Sequence, residues 1–526
     1  MSRLWIGIVF ASAQWAGLGL GRAETWKILG PRPMGMGGAF VAMAEGGIAQ
    51  YWNPAGLAQE AAVSKWGLQI PVGARGEFTG GVLKDANALS DLASQYDAIQ
   101  AAQTSGTAGA MDATKVGAFY QGLATIKNMN QPGKGALGEI AGGANFKAGR
   151  FAMSVNNFTS VGASPFIDTT NIGLDNSGSL SGVNFATANT AAPGDATNAA
   201  SAASINSAID ATAFTNLNNL MGGELTTAGI TEANIGNALV NFANGNGAST
   251  AQIAEAAAQI SNNIGAVDPL IAAASGANPY TNNGTNLTVR GGSFTEVAFG
   301  YARPVLLPGL YAGGNLKLIF GRVGYTRFNV LENGSGSTNV LKKFRDNTAS
   351  SVAPGVDLGV LWHLREVLPI LPFKPRAGLV WRNINSPGFK QPGAATADGD
   401  SSNYPQDGQA RMGLAVTPLN FWNVALDLDL TQNNTPVPGY HSRQLGLGTE
   451  VNVFNRSWIN IPLRAGLMKN LADSSSKLAY TFGFGLNFLH FMLDVGGAVS
   501  SDRTQIKSGE NIPSNFAAAA QLGFMF

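Results

Sequence analysis

The sequence predicts an all-β fold: an antiparallel β-barrel of about fourteen strands that crosses a membrane. Three observations support this prediction. Apolar side chains alternate with small or polar ones in segments of about ten residues, the connections between these segments alternate between long and short, and the chain is poor in charge and rich in glycine. Of the 526 residues 12% are charged and 68 are glycine, whereas soluble domains average about 25% charged residues and about 7% glycine.

The composition argues against several classes of function. A formal net charge of +1 offers no basic surface for nucleic acid. The chain has no cysteine, so disulfides, thiolate metal sites and a cysteine nucleophile are excluded. The three histidines, His363, His441 and His490, are too far apart in sequence to form a helical zinc pair, and no Gly-x-Ser-x-Gly motif is present. We therefore expect no enzyme activity, no metal and no cofactor.

The N-terminal residues are typical of an export signal. An apolar stretch from Leu4 to Leu20 leads to Gly21-Arg22-Ala23, a small-x-small cleavage pattern. We interpret residues 1–23 as a signal peptide, with an N-terminal membrane anchor as the alternative. After Glu24, no apolar run reaches the roughly 18 residues that a transmembrane helix needs.

The candidate strands show a period of two. Near the C-terminus, for example, Tyr480, Phe482 and Phe484 alternate with Thr481 and Gly483. The barrel is predicted to occupy residues 64–526, and the same criteria predict strands near 64–72, 136–146, 149–158, 292–302, 310–328, 352–364, 374–383, 409–417, 422–431, 442–454, 458–468, 478–488, 491–500 and 515–526.

Charges inside these segments fall on the face that carries the small and polar residues. In a membrane barrel this face lines the lumen, whereas in a soluble sandwich it faces water, so alternation alone leaves both folds open. The regular alternation of long and short connections favours the barrel. The predicted lumen-lining residues are Glu296, Asp357, Arg376, Arg411, Asp427, Asp429, Glu450, Arg464 and Asp494.

Residues 24–63 predict a compact element inside the barrel, which we call a hatch. They contain Met-Gly-Met-Gly-Gly-Ala-Phe-Val-Ala from Met34 and Tyr-Trp-Asn-Pro-Ala-Gly-Leu-Ala from Tyr51. The glycines permit close backbone approach, and Pro54 disfavours a helix at Asn53. A linker to the barrel is the alternative, although this stretch has many large apolar residues for a solvated linker.

These motifs, followed by a glycine-rich barrel that ends in Phe526, resemble the FadL-type superfamily of outer-membrane proteins. The superfamily includes long-chain fatty-acid transporters, PorV-like proteins and exported proteins labelled conjugal transfer TraF. The segment from Ala410 to Leu447 favours the TraF-labelled branch. The resemblance implies a fourteen-stranded barrel with a luminal hatch in the outer membrane of a Gram-negative-type bacterium.

By the same resemblance, the protein binds or transports small hydrophobic molecules, and the lipid of the outer membrane surrounds it. The alternative is an envelope assembly or conjugal-transfer component that acts through a protein partner. The hatch residues that would gate or bind the ligand are Met34, Met36, Phe40, Trp52, Asn53, Pro54 and Ala55.

Two long insertions, about 73–135 and 159–291, show helical spacing and are expected on the extracellular side. The second has a capping box from Ser249 to Gln252. It carries an excess of acidic residues that would repel a carboxylate ligand at low salt. Neutral hydrophobic molecules, cations or a protein partner therefore fit it better than fatty acids.

Overall fold

The computed structural model of the protein describes residues 25–59, 66–84, 124, 127–170, 188–274, 284–329, 344–456, 458–507 and 510–526. The predicted signal peptide and the predicted helical positions of the first insertion from Leu89 to Leu123 lie outside these residues. Within them, no helix combines the length and the apolar character needed to cross a bilayer.

Fourteen antiparallel strands form one closed barrel, which confirms the predicted fold. The last strand pairs with the first from Gly67↔Met525 to Glu77↔Asn515, so the sheet has no free edge. In chain order the strands are β1 Trp66–Thr79, β2 Gly135–Ala148, β3 Phe151–Phe166, β4 Asn286–Pro304, β5 Leu310–Asn329, β6 Thr348–His363, β7 Arg376–Arg382, β8 Gln409–Leu419, β9 Trp422–Asp429, β10 Gln444–Asn455, β11 Ile459–Asn470, β12 Ala479–Phe488, β13 Phe491–Ser500 and β14 Asn515–Met525.

Each predicted strand corresponds to one of these, but several are longer than predicted. β1 continues to Thr79, β3 continues to Phe166 and β4 begins at Asn286. The two insertions therefore begin later than residues 73 and 159, and the second ends earlier than residue 291. β1 extends because Arg75 and Glu77 form an ion pair on the inner face, which lets charged positions remain in the strand.

The apolar rows face outward and the charged rows face inward. The side chain of Phe482 is 59% exposed on the outer wall, whereas Asp429 is fully buried inside. A water-soluble sandwich would reverse this arrangement. The outer wall of this barrel is therefore the apolar surface that a bilayer requires.

The connections separate the two ends of the barrel. One end carries the short connections 149–150, 305–309, 364–375, 420–421, 456–458 and 489–490, and we call it the short-turn end. The other end carries the remaining seven connections, which include the two insertions, and we call it the mouth. Three small hairpins belong to these seven connections: Gly388–Lys390 with Asn403–Pro405, Asn433–Asn434 with His441–Ser442, and Arg503–Lys507 with Glu510–Pro513.

Residues 25–59 fill the lumen, and we call them the plug. The plug contains two short α-helices, α1 Pro31–Gly35 and α2 Ala49–Trp52, and two 3-10 helices, Val41–Met43 and Pro54–Ala58. Pro31 starts α1 because a proline in the first helical turn has no N–H that needs a partner. Most plug side chains are buried between the plug and the inner wall.

The second insertion forms a helical cap at the mouth. Its helices are α3 Ala196–Ala208, α4 Ala211–Leu220, α5 Glu224–Thr227, α6 Ile235–Gly245 and α7 Thr250–Ala274, and they share a core that includes Ile205, Val240 and Ile260. Asp195 and Asp210 cap α3 and α4 by accepting hydrogen bonds from Asn198 and Ala213 main-chain N–H groups. The predicted capping box is confirmed, because Ser249 and Gln252 exchange hydrogen bonds. Two further short helices are a 3-10 helix Leu364–Glu366 and α8 Gly393–Ala397.

Candidate functional site in the plugged lumen and the mouth

Asn53 joins the plug to itself and to the wall. It is fully buried, and its extended backbone starts the 3-10 helix Pro54–Ala58. Its Oδ1 accepts a hydrogen bond from the main-chain N–H of Ala55 at 3.2 Å, and its Nδ2 donates to the carbonyl oxygens of Val41 at 3.2 Å and Val360 at 3.0 Å. The Asn-Pro-Ala motif therefore shapes a turn and docks it on β6.

Glycines in the wall let the plug approach closely. A Cβ on Gly359 would lie 2.2 Å from Asn53 Oδ1, and a Cβ on Gly446 would lie 2.2 Å from the carbonyl oxygen of Gly37. Both distances are far inside van der Waals contact. The glycines on the inner face of the strands thus make room for main-chain and polar atoms of the plug.

Asp427 fixes the middle of the plug. Its Oδ2 accepts hydrogen bonds from the main-chain N–H groups of Phe40 at 2.8 Å and Val41 at 2.9 Å. These donors lie where the 3-10 helix Val41–Met43 begins, so the carboxylate caps that helix from the wall. Next to it, Arg411 forms an ion pair with Asp429 at 2.6 Å.

A second contact between plug and wall is ionic. Arg32 of the plug donates from Nε and Nη2 to the two carboxylate oxygens of Glu450, each at 2.8 Å, and it also pairs with Glu45. Arg464 joins Glu450 at 2.7 Å to Asp494 at 2.5 Å. Burial acts to lower the pKa of Arg32, but Glu450 and then Glu45 outweigh it and raise this pKa above its usual value. The guanidinium stays charged and the bidentate pair persists.

The remaining predicted lumen residues lie in the wall as well. Glu296 pairs with Arg382 at 3.0 Å, and Asp357 pairs with Lys317 at 2.9 Å. The guanidinium of Arg382 also lies 4.0 Å from the ring centroid of Tyr51 in the plug. Arg376 is half-buried, donates to Thr417 Oγ1 at 3.3 Å and forms no ion pair among the described side chains.

The predicted hatch residues form the packed centre of the plug. Met34, Met36, Phe40, Trp52, Asn53, Pro54 and Ala55 are all buried. The rings of Phe40 and Trp52 meet edge to face at 5.9 Å between centroids. The cavity that Met34 borders has a volume of about 20 Å³, far below the roughly 300 Å³ of a small ligand pocket. The cavity beside Met34 therefore has no room for a ligand of that size, and the gating role of these residues stays a prediction.

Residues 430–443 cross the mouth, and we call them the strap. They connect β9 to β10, yet Val437 packs on Leu137 of β2, and the main-chain N–H of Gly133 donates to the carbonyl of Pro438 at 2.8 Å. The hydroxyl of Tyr440 donates to Glu77 Oε1 at 2.8 Å and accepts from Asn470 Nδ2 at 3.2 Å. Burial, reinforced by the charge of Glu77, raises the pKa of Tyr440, so the phenol stays a donor.

Hydrogen bonds link the strap to the plug. Glu77 accepts from Arg75 at 2.7 Å, and Arg75 donates to Glu139 at 3.2 Å. Lys27 of the plug lies 3.0 Å from the other carboxylate oxygen of Glu139. Tyr440 is therefore connected to the plug through three charged side chains of the wall.

The strap borders two cavities at the mouth, and Tyr440 lines both. The larger one, about 660 Å³, has a mixed lining whose charged side chains include Arg75, Lys469 and Arg503. The smaller one, about 370 Å³, has apolar, proline and aromatic side chains in its lining, namely Val323, Tyr325, Tyr404, Pro405, Pro436, Val437, Pro438 and Tyr440.

A comparison with protein families shows to which family the chain belongs. The family described as "F plasmid transfer operon, TraF, protein" matches residues 50–429. The chain belongs to this family. The TraF-labelled branch predicted from the segment Ala410 to Leu447 is thus confirmed. No curated protein matches the chain.

Solved structures similar to this TraF-family chain include three described as channels or transporters. "CymD monoaromatic hydrocarbon channel" has 10% sequence identity and a TM-score of 0.41, covering 96% of this chain and 99% of its own. The Ralstonia pickettii toluene transporter TbuX has 11% identity and a TM-score of 0.40, with coverages of 94% and 98%. The P. putida toluene transporter TodX has 10% identity and a TM-score of 0.39, with coverages of 96% and 99%.

Sequence reasoning did not find the strap, the two cavities or the Arg75, Glu77 and Glu139 cluster of this TraF-family protein. Two signals pointed to them. The strap carries Pro436, Val437, Pro438 and Tyr440, an apolar group that is unusual in a connection expected to be solvated. The charges of β1 continue the period-two pattern beyond residue 72, the predicted end of that strand.

Proposed function

We propose that this protein is an outer-membrane barrel that captures small, mainly apolar molecules at its mouth and passes them across the membrane when the strap and the plug shift. The observation that carries the proposal is the smaller cavity, because its volume of about 370 Å³ and a lining that includes Val323, three tyrosines and three prolines suit a small apolar ring. Arg290 and Asp400, paired at 3.0 Å, supply a polar margin to the same cavity.

The closed barrel and its apolar outer wall support the location in a membrane, because closure satisfies the main-chain hydrogen bonds that lipid cannot. The plug supports a gated route rather than an open pore. Besides apolar packing, its contacts with the wall are hydrogen bonds and ion pairs of separate side chains, such as Asn53 with Val360 and Arg32 with Glu450. Such contacts can break one at a time while the barrel stays closed.

Binding of a neutral aromatic probe tests this function. Purified protein in detergent is titrated with naphthalene, and binding is followed by calorimetry. Ser401 lines the smaller cavity and Ser475 lines the larger one. We expect Ser401→Trp to weaken binding by about tenfold or more, which is about 1.4 kcal/mol, and Ser475→Trp, the matched control, to leave it unchanged. Equal affinity in wild type and Ser401→Trp would reject the smaller cavity as the capture site.

An envelope assembly role is the second candidate. One observation favours it: residues 188–274 of the cap carry six acidic residues and no Lys or Arg, a surface that attracts a basic partner protein. Membranes solubilised under low salt would then yield a stable complex that high salt dissociates. Recovery of the protein alone under both conditions would count against this role.

A further inference from the structure

The short-turn end exposes large apolar side chains in connections where solvated residues are the rule. Leu306 is fully exposed in the turn 305–309, and Ile370 is 90% exposed in the connection 364–375. Leu368 and Phe373 are more than half exposed in the same connection. We call residues 305–309 and 364–375 the apolar turn patch. An exposed apolar surface of this kind marks an interaction site.

The two segments of the patch are held together. Trp362 Nε1 donates to the carbonyl of Pro308 at 3.3 Å, and the main-chain N–H of His363 donates to the carbonyl of Gly309 at 2.8 Å. The connection is closed by the N–H of Leu364, which donates to the carbonyl of Pro375 at 3.1 Å. Phe373 has a φ of 62°, in the left-handed region, and its carbonyl accepts from Thr417 N–H at 2.6 Å. The apolar side chains are therefore presented by a fixed framework.

The patch lies next to the apolar outer wall. β4 and β5 lead into the turn 305–309, and β6 and β7 lead into the connection 364–375. The outward side chains of these strands include the exposed Tyr301, Leu358, Leu379 and Trp381. The apolar surface of the wall thus continues around the rim at the short-turn end.

The charged residues of the short connections indicate what covers the apolar turn patch. The six short connections carry Arg150, Arg365, Lys374 and Arg456 but only one acid, Glu366, so four minus one leaves three excess positive charges. Arg365, Lys374 and Glu366 belong to the patch itself, so two minus one leaves the patch one excess positive charge. Apolar side chains flanked by cations fit the boundary between acyl chains and anionic headgroups.

We infer that the apolar turn patch inserts into the membrane leaflet at the short-turn end, where Arg365 and Lys374 contact the phosphate groups of anionic phospholipid. This inference rests on the membrane location in the proposed function. The patch then acts as a lipid-binding anchor for β4 to β7 and is not available to a soluble protein.

The absence of cysteine from the sequence allows a direct test. Ile370→Cys is labelled with the environment-sensitive fluorophore NBD and the whole protein is reconstituted in vesicles of phosphatidylethanolamine and phosphatidylglycerol. Leu318→Cys on the outer wall serves as the lipid-facing control, and Ser475→Cys at the mouth serves as the aqueous control. Lipid brominated near the headgroup and aqueous iodide are the two quenchers.

We expect brominated lipid to quench the Ile370 label by a fraction comparable with the Leu318 label, and iodide to quench only the Ser475 label. Arg365→Gln with Lys374→Gln should reduce the lipid quenching at Ile370 in these vesicles to the level found in phosphatidylcholine vesicles. A label at Ile370 that iodide quenches, or that neither agent quenches, overturns the inference while the Leu318 label still reports lipid. Loss of lipid quenching at Leu318 itself would instead reject the membrane location.

Discussion

Replacing Asn53 tests how the plug is held. Asn53→Ala removes the hydrogen bonds to Ala55 N–H, Val41 carbonyl and Val360 carbonyl, all in a fully buried setting. The bonds to Ala55 and Val41 lie within the plug, whereas the bond to Val360 joins the plug to the wall. A buried hydrogen bond contributes about 1 kcal/mol net. Since about 1.4 kcal/mol corresponds to a factor of ten, loss of the bond to Val360 should raise the population of undocked plug by roughly fivefold.

The assay uses a thiol placed in the plug. Met43 is buried in the 3-10 helix Val41–Met43, and Met43→Cys introduces the single cysteine of the chain. A membrane-impermeant maleimide reacts with this thiol only when the plug leaves the wall. The labelling rate therefore reports undocking, and in Asn53→Ala it should increase by roughly fivefold when undocking is rapid and reversible.

Two controls separate docking from general loosening. Asn420→Ala removes an exposed asparagine that accepts a hydrogen bond from Lys374, and it should leave the labelling rate of Met43→Cys unchanged. The heat-induced shift in gel mobility that reports the folded barrel should be the same for both variants. If Asn53→Ala labels at the wild-type rate, the hydrogen bond to Val360 does not hold the plug and the reasoning fails.

Three further predictions concern the strap and the wall. Tyr440→Phe removes the hydrogen bonds to Glu77 and Asn470, so strap docking should weaken by about 1–2 kcal/mol, and proteolysis within the strap should accelerate while the barrel stays intact. Leu137→Cys with Val437→Cys places two thiols at a packed contact; oxidation should stop uptake of a neutral aromatic probe into vesicles and reduction should restore it, whereas either single variant should be insensitive to oxidant. Gly359→Ala places a methyl group against the side-chain oxygen of Asn53, so it should raise the labelling rate of Met43→Cys. This increase should be smaller in an Asn53→Ala background, because the effects of neighbouring substitutions are not additive.

The strands and their order along the chain were predictable because short stretches of sequence determine them. Alternation of side chains and the length of connections are both read within a few tens of residues, and they identified all fourteen strands. The strand ends at the mouth were less predictable. The first strand was predicted to end at residue 72, but Arg75 and Glu77 beyond it find charged partners inside the barrel, and the strand continues to Thr79.

The inward direction of the charged residues was predictable, but their partners were not. Periodicity places Glu450 and Asp494 on the inner face, and it carries no information on which cation meets them. Arg32 reaches Glu450 across 418 positions of sequence, and Tyr440 reaches Glu77 across 363. Such pairs arise only when the barrel closes around the plug. The strap escaped prediction for the same reason, because its contacts lie on strands from the opposite half of the chain.

The position of these long-range pairs bears on how passage is controlled. The strap at the mouth and the plug below it are two barriers in series, so a molecule must pass both. They share the connected side chains Tyr440, Glu77, Arg75, Glu139 and Lys27. Without Tyr440, Glu77 would keep Arg75 and Asn515 as its donors. We therefore expect a displacement of the strap to alter the contacts of Arg75 first and those of Lys27, through Glu139, second, so that the proposed function links the two barriers through one set of side chains.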